Sequence, residues 1–224
     1  MENRKSAPVN EETLDRRVRR TRKLLQNSLL TCMKEKPLNS ISMRELCRMA
    51  DLCRTTPYLH YKDVLDIFEQ LEQALTTELC EIYAANPPEA VAQDPTALFT
   101  GLFTLAQKRK ELVDVLLNHN GDNAFMAQVA AQAEEYIRQV FACKQPPITA
   151  NDYQVAFQYG AVLATIKRYV AAGCPQSPAS LAAILPRFPW HNVSVFHKAE
   201  TSSLITWFCN LFVCLPGYSY YITF

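Results

Sequence analysis

The stretch SMRELCRMADLCRTTPYLHYKD, Ser42 to Asp63, has room for two helices of about two turns each. Ser42 followed three residues later by Glu45 is a capping-box pattern, which starts the first. Met43, Leu46, Cys47 and Ala50 then share one face. ADLC reads as a turn in which Asp51 tolerates a left-handed backbone. The spacing predicts a further short helix over about Arg54 to His60. Asp63 is placed to cap a longer one, along which Leu65, Phe68, Leu71, Leu75 and Leu79 recur. Elements this short need tertiary support, so longer helices are expected on both sides.

The rest of the chain supplies them. Residues 1–12 read as a flexible arm. From Leu14 to Lys34, Val18, Thr21, Leu25, Leu29, Cys32 and Met33 return at helical spacing. KPLNS breaks that helix, and AANPPEAVAQDP reads as a linker. Helices follow at about 95–108, 109–118 and 122–143, the last two parted by NHNGD. KQPPITAND is a break, a helix covers about 152–172, GCPQSP stops it, and a last one covers about 178–186. The fold class is all-α, an N-terminal three-helix head followed by a helical body. We divide the chain into a basic arm and head (1–62), a helical regulatory and dimerisation domain (63–186), and an atypical tail (187–224).

That tail changes character. Thr201 to Phe224 holds no charged residue but has Trp207 and many aromatics. Its length is near that of a bilayer span, yet Asn210 and the Pro216-Gly217 pair would interrupt such a helix. A tail packed against protein is the favoured reading, and a membrane tether is its alternative.

Charge is uneven. Residues 1–62 hold 14 Lys and Arg against 7 Asp and Glu, whereas the remainder holds 9 against 15. The head is therefore +7 and the body −6, within a chain of net +1. A basic head on an acidic body is the asymmetry of a protein that meets a polyanion with one part only. The eight cysteines are scattered, with no CxxC and no paired Cys/His spacing, so neither metal nor cofactor is expected. The N-terminus is charged and lacks an apolar core, which excludes a signal peptide there. A cytoplasmic protein with free thiols is the expectation.

Two short helices joined by a tight turn form a helix-turn-helix, whose second helix enters the major groove. That accounts for arginine beside hydroxyls and tyrosine: arginine forks onto guanine, hydroxyls reach bases, and tyrosine and histidine bond phosphates. An enzyme is not expected, because there is no Gly-rich phosphate loop, HExxH or nucleophile elbow. A helical adaptor that binds only protein is the other class, but it would not need the basic first helix.

ISMRELCRMADLCRTTPYLHYKD resembles the DNA-binding signature of TetR-type regulators. Ile41, Ser42, Leu46, Ala50, Leu52, Thr56, Tyr58, His60 and Tyr61 fall on its pattern. LLNHNGDNAFMAQV and FQYGAVLATIKRYVAAGCPQSPASLAAIL resemble the C-terminal domain of a branch that includes dihydroxyacetone-kinase activator-like regulators. Together the resemblance covers most of residues 12–186. The chain departs from the pattern at Asp51, where the family has glycine, at Pro57, and at Val64, where a lysine is common.

The resemblance implies a homodimer on a palindromic double-stranded DNA operator, most simply a repressor, released by a small-molecule effector. It places Arg44, Arg54, Thr55 and Thr56 against base edges and Tyr58, His60 and Lys62 on phosphates. The basic start of the first helix, with Arg17 and Arg20, lies along the backbone or reaches a minor groove. Arg44 as a solvated surface charge and Tyr58 as a packing residue are the competing readings. The helix over about 152–172 is the dimer candidate, through Ala156, Gly160, Ala161 and Ala164 with Val155, Leu163, Ile166 and Val170. Leu98, Phe103, Leu116, Phe125, Tyr136 and Phe157 are the candidate effector lining, with ordinary core as the alternative.

Overall fold

In the computed structural model, residues 11–119, 122–144, 147 and 151–185 are described, with side chains from Arg16 onward. The expectations for the first ten residues and for the tail from 187 lie outside these. The described residues hold nine α-helices and no strand. They are α1 (Glu11–Met33), α2 (Met43–Met49), α3 (Val64–Ala85), α4 (Pro88–Gln93), α5 (Thr96–Lys108), α6 (Lys110–Asn118), α7 (Asn123–Ala142), α8 (Asp152–Ala171) and α9 (Pro178–Ile184). Two 3-10 turns, Leu38–Ser40 and Pro57–Leu59, lie between them. The chain to Ala183 forms one compact unit, and a second begins at Ile184.

Two elements differ from the sequence expectation. AANPPEAVAQDP is not wholly a linker, because α4 starts inside it at Pro88. Proline fits there for a physical reason: the first helical residue has no intrahelical partner for its N–H, and the ring presets φ. The helix expected over Arg54–His60 is the second difference, and it is treated with the interface below.

α1 packs on α2, α3 and α6, α3 also on α5 and α7, and α8 on α6 and α7. Leu25, Leu29 and Met33 of α1, Leu46 of α2, Ile67 and Phe68 of α3, Leu112 and Val115 of α6 and Phe125 of α7 belong to one buried cluster. The head and the body thus share a core, and each fully buried Leu, Ile or Phe contributes roughly 1.5–3 kcal/mol. Ala106, Val113 and Val170 make a smaller cluster joining α5, α6 and α8.

The helices are also pinned by charge and by one close approach. Glu78 of α3 accepts from Arg109 Nη2 at 2.5 Å and from Lys108 Nζ at 3.0 Å. Lys34 at the end of α1 pairs with Glu111 of α6 and lies 3.3 Å from Asp114. A Cβ at Gly101 would sit 3.1 Å from Ile82 Cγ2, so glycine there sets how near α5 comes to α3.

Candidate nucleic-acid interface

The interface is built from the short elements of the head. At the start of α2, Ser42 Oγ accepts the Glu45 N–H at 3.3 Å. The reciprocal half of the expected capping box is not made. The Glu45 carboxylate instead takes Lys36 Nζ at 2.8 and 2.7 Å, and that ammonium holds the carboxyl below its ordinary range. Lys36 thereby ties the loop after α1 to α2.

α2 ends as its sequence predicts. Asp51 adopts φ 53°, and the Leu52 N–H reaches back to Cys47 O at 2.9 Å. This is a Schellman closure with aspartate where glycine is usual. Its effect is a sharp reversal that throws Cys53, Arg54 and Thr55 onto the surface.

The second element corrects the sequence reading. Instead of a helix over Arg54–His60 there is a turn, then the 3-10 segment Pro57–Leu59. Pro57 has no N–H to give, so Cys53 O accepts from Thr56 at 3.0 Å. Leu59 donates to Thr56 O at 3.2 Å and His60 to Pro57 O at 2.9 Å, both three residues back. The Tyr61 N–H to Pro57 O bond, also 2.9 Å, closes the one wider turn. Pro57 is fully buried, and in a 3-10 turn the next two side chains point away from it. Tyr58 and Leu59 accordingly face outward, with Leu59 78% exposed.

Tyr61 anchors this tip. Its ring is buried, its hydroxyl accepts from Gln26 Nε2 at 3.2 Å, and the Arg22 guanidinium lies 5.8 Å from the ring centroid. α3 then starts on the Asp63 cap, which accepts the Asp66 N–H at 2.8 Å as expected. The Asp66 carboxylate accepts the Lys62 N–H at 2.7 Å, which fixes the Lys62 backbone while its side chain stays exposed.

Of the nine DNA candidates, Arg17, Arg20, Arg44, Arg54, Thr55, Tyr58 and Lys62 are exposed, and Thr56 and His60 are half-buried. Arg54, Thr55, Thr56, Tyr58, His60 and Lys62 lie on one continuous tip. Arg44 stands on α2, and Arg17 and Arg20 on α1, beyond Arg22 from the Tyr61 anchor. The sequence reading missed Leu59 and Cys53. The signal for Leu59 was Pro57 itself, whose burial turns its neighbours outward.

The effector candidates divide. Leu98, Phe103, Leu116, Phe125 and Tyr136 are buried. Phe157 is not, and its place in the lining is corrected: it is 74% exposed, in line with Tyr153 at 86%. Residues 153, 157, 160 and 164 share one face of a helix, and all four are exposed, as is Ala156. A Cβ at Gly160 would meet nothing within 4 Å. α8 therefore turns Val155, Tyr169 and Val170 inward and presents an aromatic and small-residue stripe outward. Among the buried candidates, Tyr136 stacks on Tyr83 at 4.6 Å and donates to Asn86 O at 2.5 Å. Burial pushes both phenols to about 12. Tyr83 was not foreseen as its partner.

Residues 93–188 match the family model described as a transcriptional regulator C-terminal region of TetR type. No curated protein matches the chain. Among solved structures, the fatty acid degradation regulator FadR from Bacillus halodurans superposes with a TM-score of 0.54 at 11% identity, over 85% of this chain and 98% of that one. A TetR-like transcriptional regulator from Rhodococcus sp. RHA1 superposes with a TM-score of 0.53 at 17% identity, over 72% and 91%. The dihydroxyacetone kinase operon activator DhaS gives 0.48 at 14% identity, over 78% and 97%. At that score the superposition does not place the chain in a branch.

Proposed function

We propose that this chain is a TetR-type transcriptional regulator that binds a palindromic operator as a homodimer and represses transcription there. The observation that carries this reading is the exposed tip after α2. There Arg54 and Thr55 stand free to meet bases, with Tyr58 and Lys62 beside them to hold phosphates. Thr56 and His60 support the same surface. Arg44 extends it along α2, and Arg17 and Arg20 lie along the backbone from α1.

Dimerisation rests on the α8 stripe. Tyr153 and Phe157 are large side chains left mostly exposed in the monomer, and exposed apolar patches mark association sites. Gly160 and Ala164 permit a second copy of α8 to come close. One helix-turn-helix reads few base pairs, so two-fold symmetry doubles the reading. Residues around Leu98, Phe103, Leu116, Phe125 and Tyr136 are where a small effector would enter the body and shift the spacing of the two heads. A protein-only adaptor explains neither the exposed Arg-Thr tip nor the basic face of α1. Among the described residues no helix is long and apolar enough to cross a membrane.

Selection of duplexes from a random library, followed by sedimentation with and without the selected duplex, tests the reading. The expected result is an inverted repeat bound by two copies, with affinity falling steeply as salt rises, because phosphate contacts release counterions. Binding as a single copy, or affinity indifferent to salt, would overturn it.

A further inference from the structure

Glu72 is a charged side chain inside the core. It lies on α3 and is only 8% exposed, and its Oε1 has no hydrogen-bond partner. Its neighbours in sequence, Leu71 and Leu75, belong to the cluster that joins α1 of the head to α6 and α7 of the body. A buried carboxylate needs a donor or a counter-charge, and without one it keeps its proton instead.

The groups that bear on Glu72 supply neither. The charges that bear on it are those of Asp122, the N-cap of α7, and of Glu69 on its own helix, and both are acids. Asp122 already accepts the Ala124 and Phe125 N–H groups at 2.7 and 3.2 Å. The basic side chains near that seam face other acids. Lys34 of α1 is taken by Glu111 and Asp114 of α6, and His119 lies 3.6 Å from Asp114.

We infer that Glu72 is a proton-controlled latch between α3, the helix that directly follows the DNA-reading head, and the start of α7. In its neutral form it lets α3 pack on the start of α7. Loss of the proton to water leaves a third carboxylate beside Asp122 and Glu69, opens that packing, and weakens the hold of the head on a duplex. The link to DNA rests on the function proposed above, whereas the latch itself does not.

The sign follows from the direction of the shift. Burial first, then Asp122 and Glu69, raise the Glu72 carboxyl from 4.5 to about 7. A group raised in the folded state stabilises it fully below the unfolded value. That contribution is lost as pH climbs from about 4.5 through about 7. The window includes neutrality, where a regulator can use it.

Urea unfolding of the full chain and of Glu72→Gln at pH 5, 6, 7 and 8 tests the latch without any DNA. The wild-type folding equilibrium should fall by about tenfold or more from pH 5 to pH 8 relative to the variant. Glutamine mimics the neutral acid, so the variant should keep its stability at pH 8. Glu72→Met, which removes the polar atoms altogether, should behave likewise. Equal pH dependence in all three proteins overturns the latch. Duplex affinity at fixed salt should then drop between pH 6 and pH 8 more in the wild type than in Glu72→Gln. If the unfolding data separate the proteins but the affinities fall in parallel, the coupling to DNA is overturned.

Discussion

The tip after α2 and the outer face of α8 are both exposed, yet they are exposed for opposite reasons. The tip is polar and cationic, and its large exposed side chains, Tyr58 and Leu59, are outward because Pro57 is inward. The α8 face is apolar and small, with Tyr153 and Phe157 in the open. Water tolerates the first surface and penalises the second. A charged surface waits for a polyanion without cost in the free state. An apolar one lowers its free energy as soon as any complementary surface arrives. On the proposed function, the head would be suited to let go and the α8 face to stay bound.

That contrast is open to attack, and the strongest blow falls on α8. Phe157→Glu places a charge on the stripe, and dimer affinity should fall by about 2–4 kcal/mol, the range of an interfacial anchor. Sedimentation should show monomers, and binding to an inverted repeat should collapse although the tip is untouched. Circular dichroism should be unchanged, because Phe157 is largely exposed within its own chain. A dimer that survives this change assigns the stripe to another partner.

Arg54→Ala should cost less, about 1–3 kcal/mol, and only on the preferred duplex. Competition between the selected operator and its single-base variants reads this as a relaxed preference. Equal loss on every sequence would make Arg54 a phosphate contact. Lys62→Ala should be milder still and blind to sequence. The slope of log affinity against log salt should decrease by about one unit. If instead it changes the ranking of operator variants, the division between base and phosphate roles fails.

Asp51→Gly is the smallest expected effect. A left-handed backbone is mildly unfavourable for aspartate and free for glycine. Glycine also loosens the unfolded chain, so the net gain in urea stability should stay below about 1 kcal/mol. DNA preference should not move, since Asp51 shapes the reversal without joining the tip.

The course of the chain was largely readable from its residues, and the misses have physical causes. Ser42, Asp51 and Asp63 announced the ends of α2 and the start of α3 because their side chains or backbone freedom act locally. The second half of the capping box was not readable, since Glu45 prefers the ammonium of Lys36, a partner outside the motif. Pro57 was compatible with a helix in principle, but its missing N–H fell where the turn needed a donor. Pro88 misled in the other sense, as proline after asparagine and proline looks like a break while starting α4. Phe157 and Phe103 look alike in a periodic pattern, and only burial tells outward from inward. Glu72 was invisible for the same reason: a glutamate beside Leu71 is assumed solvated until its neighbours are known.

The brevity of the Pro57–Leu59 turn bears on how the proposed regulator would find its address in a genome. A reading element of one turn lines up few side chains, enough to fix roughly three or four base pairs. A word of that length recurs by chance about every hundred base pairs or so. The competing sites in a cell run to about a million or more. Two such words, held at a set spacing and read together, multiply their rarities rather than adding them. In the proposed dimer, the proline that shortens the tip would thus move the burden of selectivity from the letters to the distance between the words.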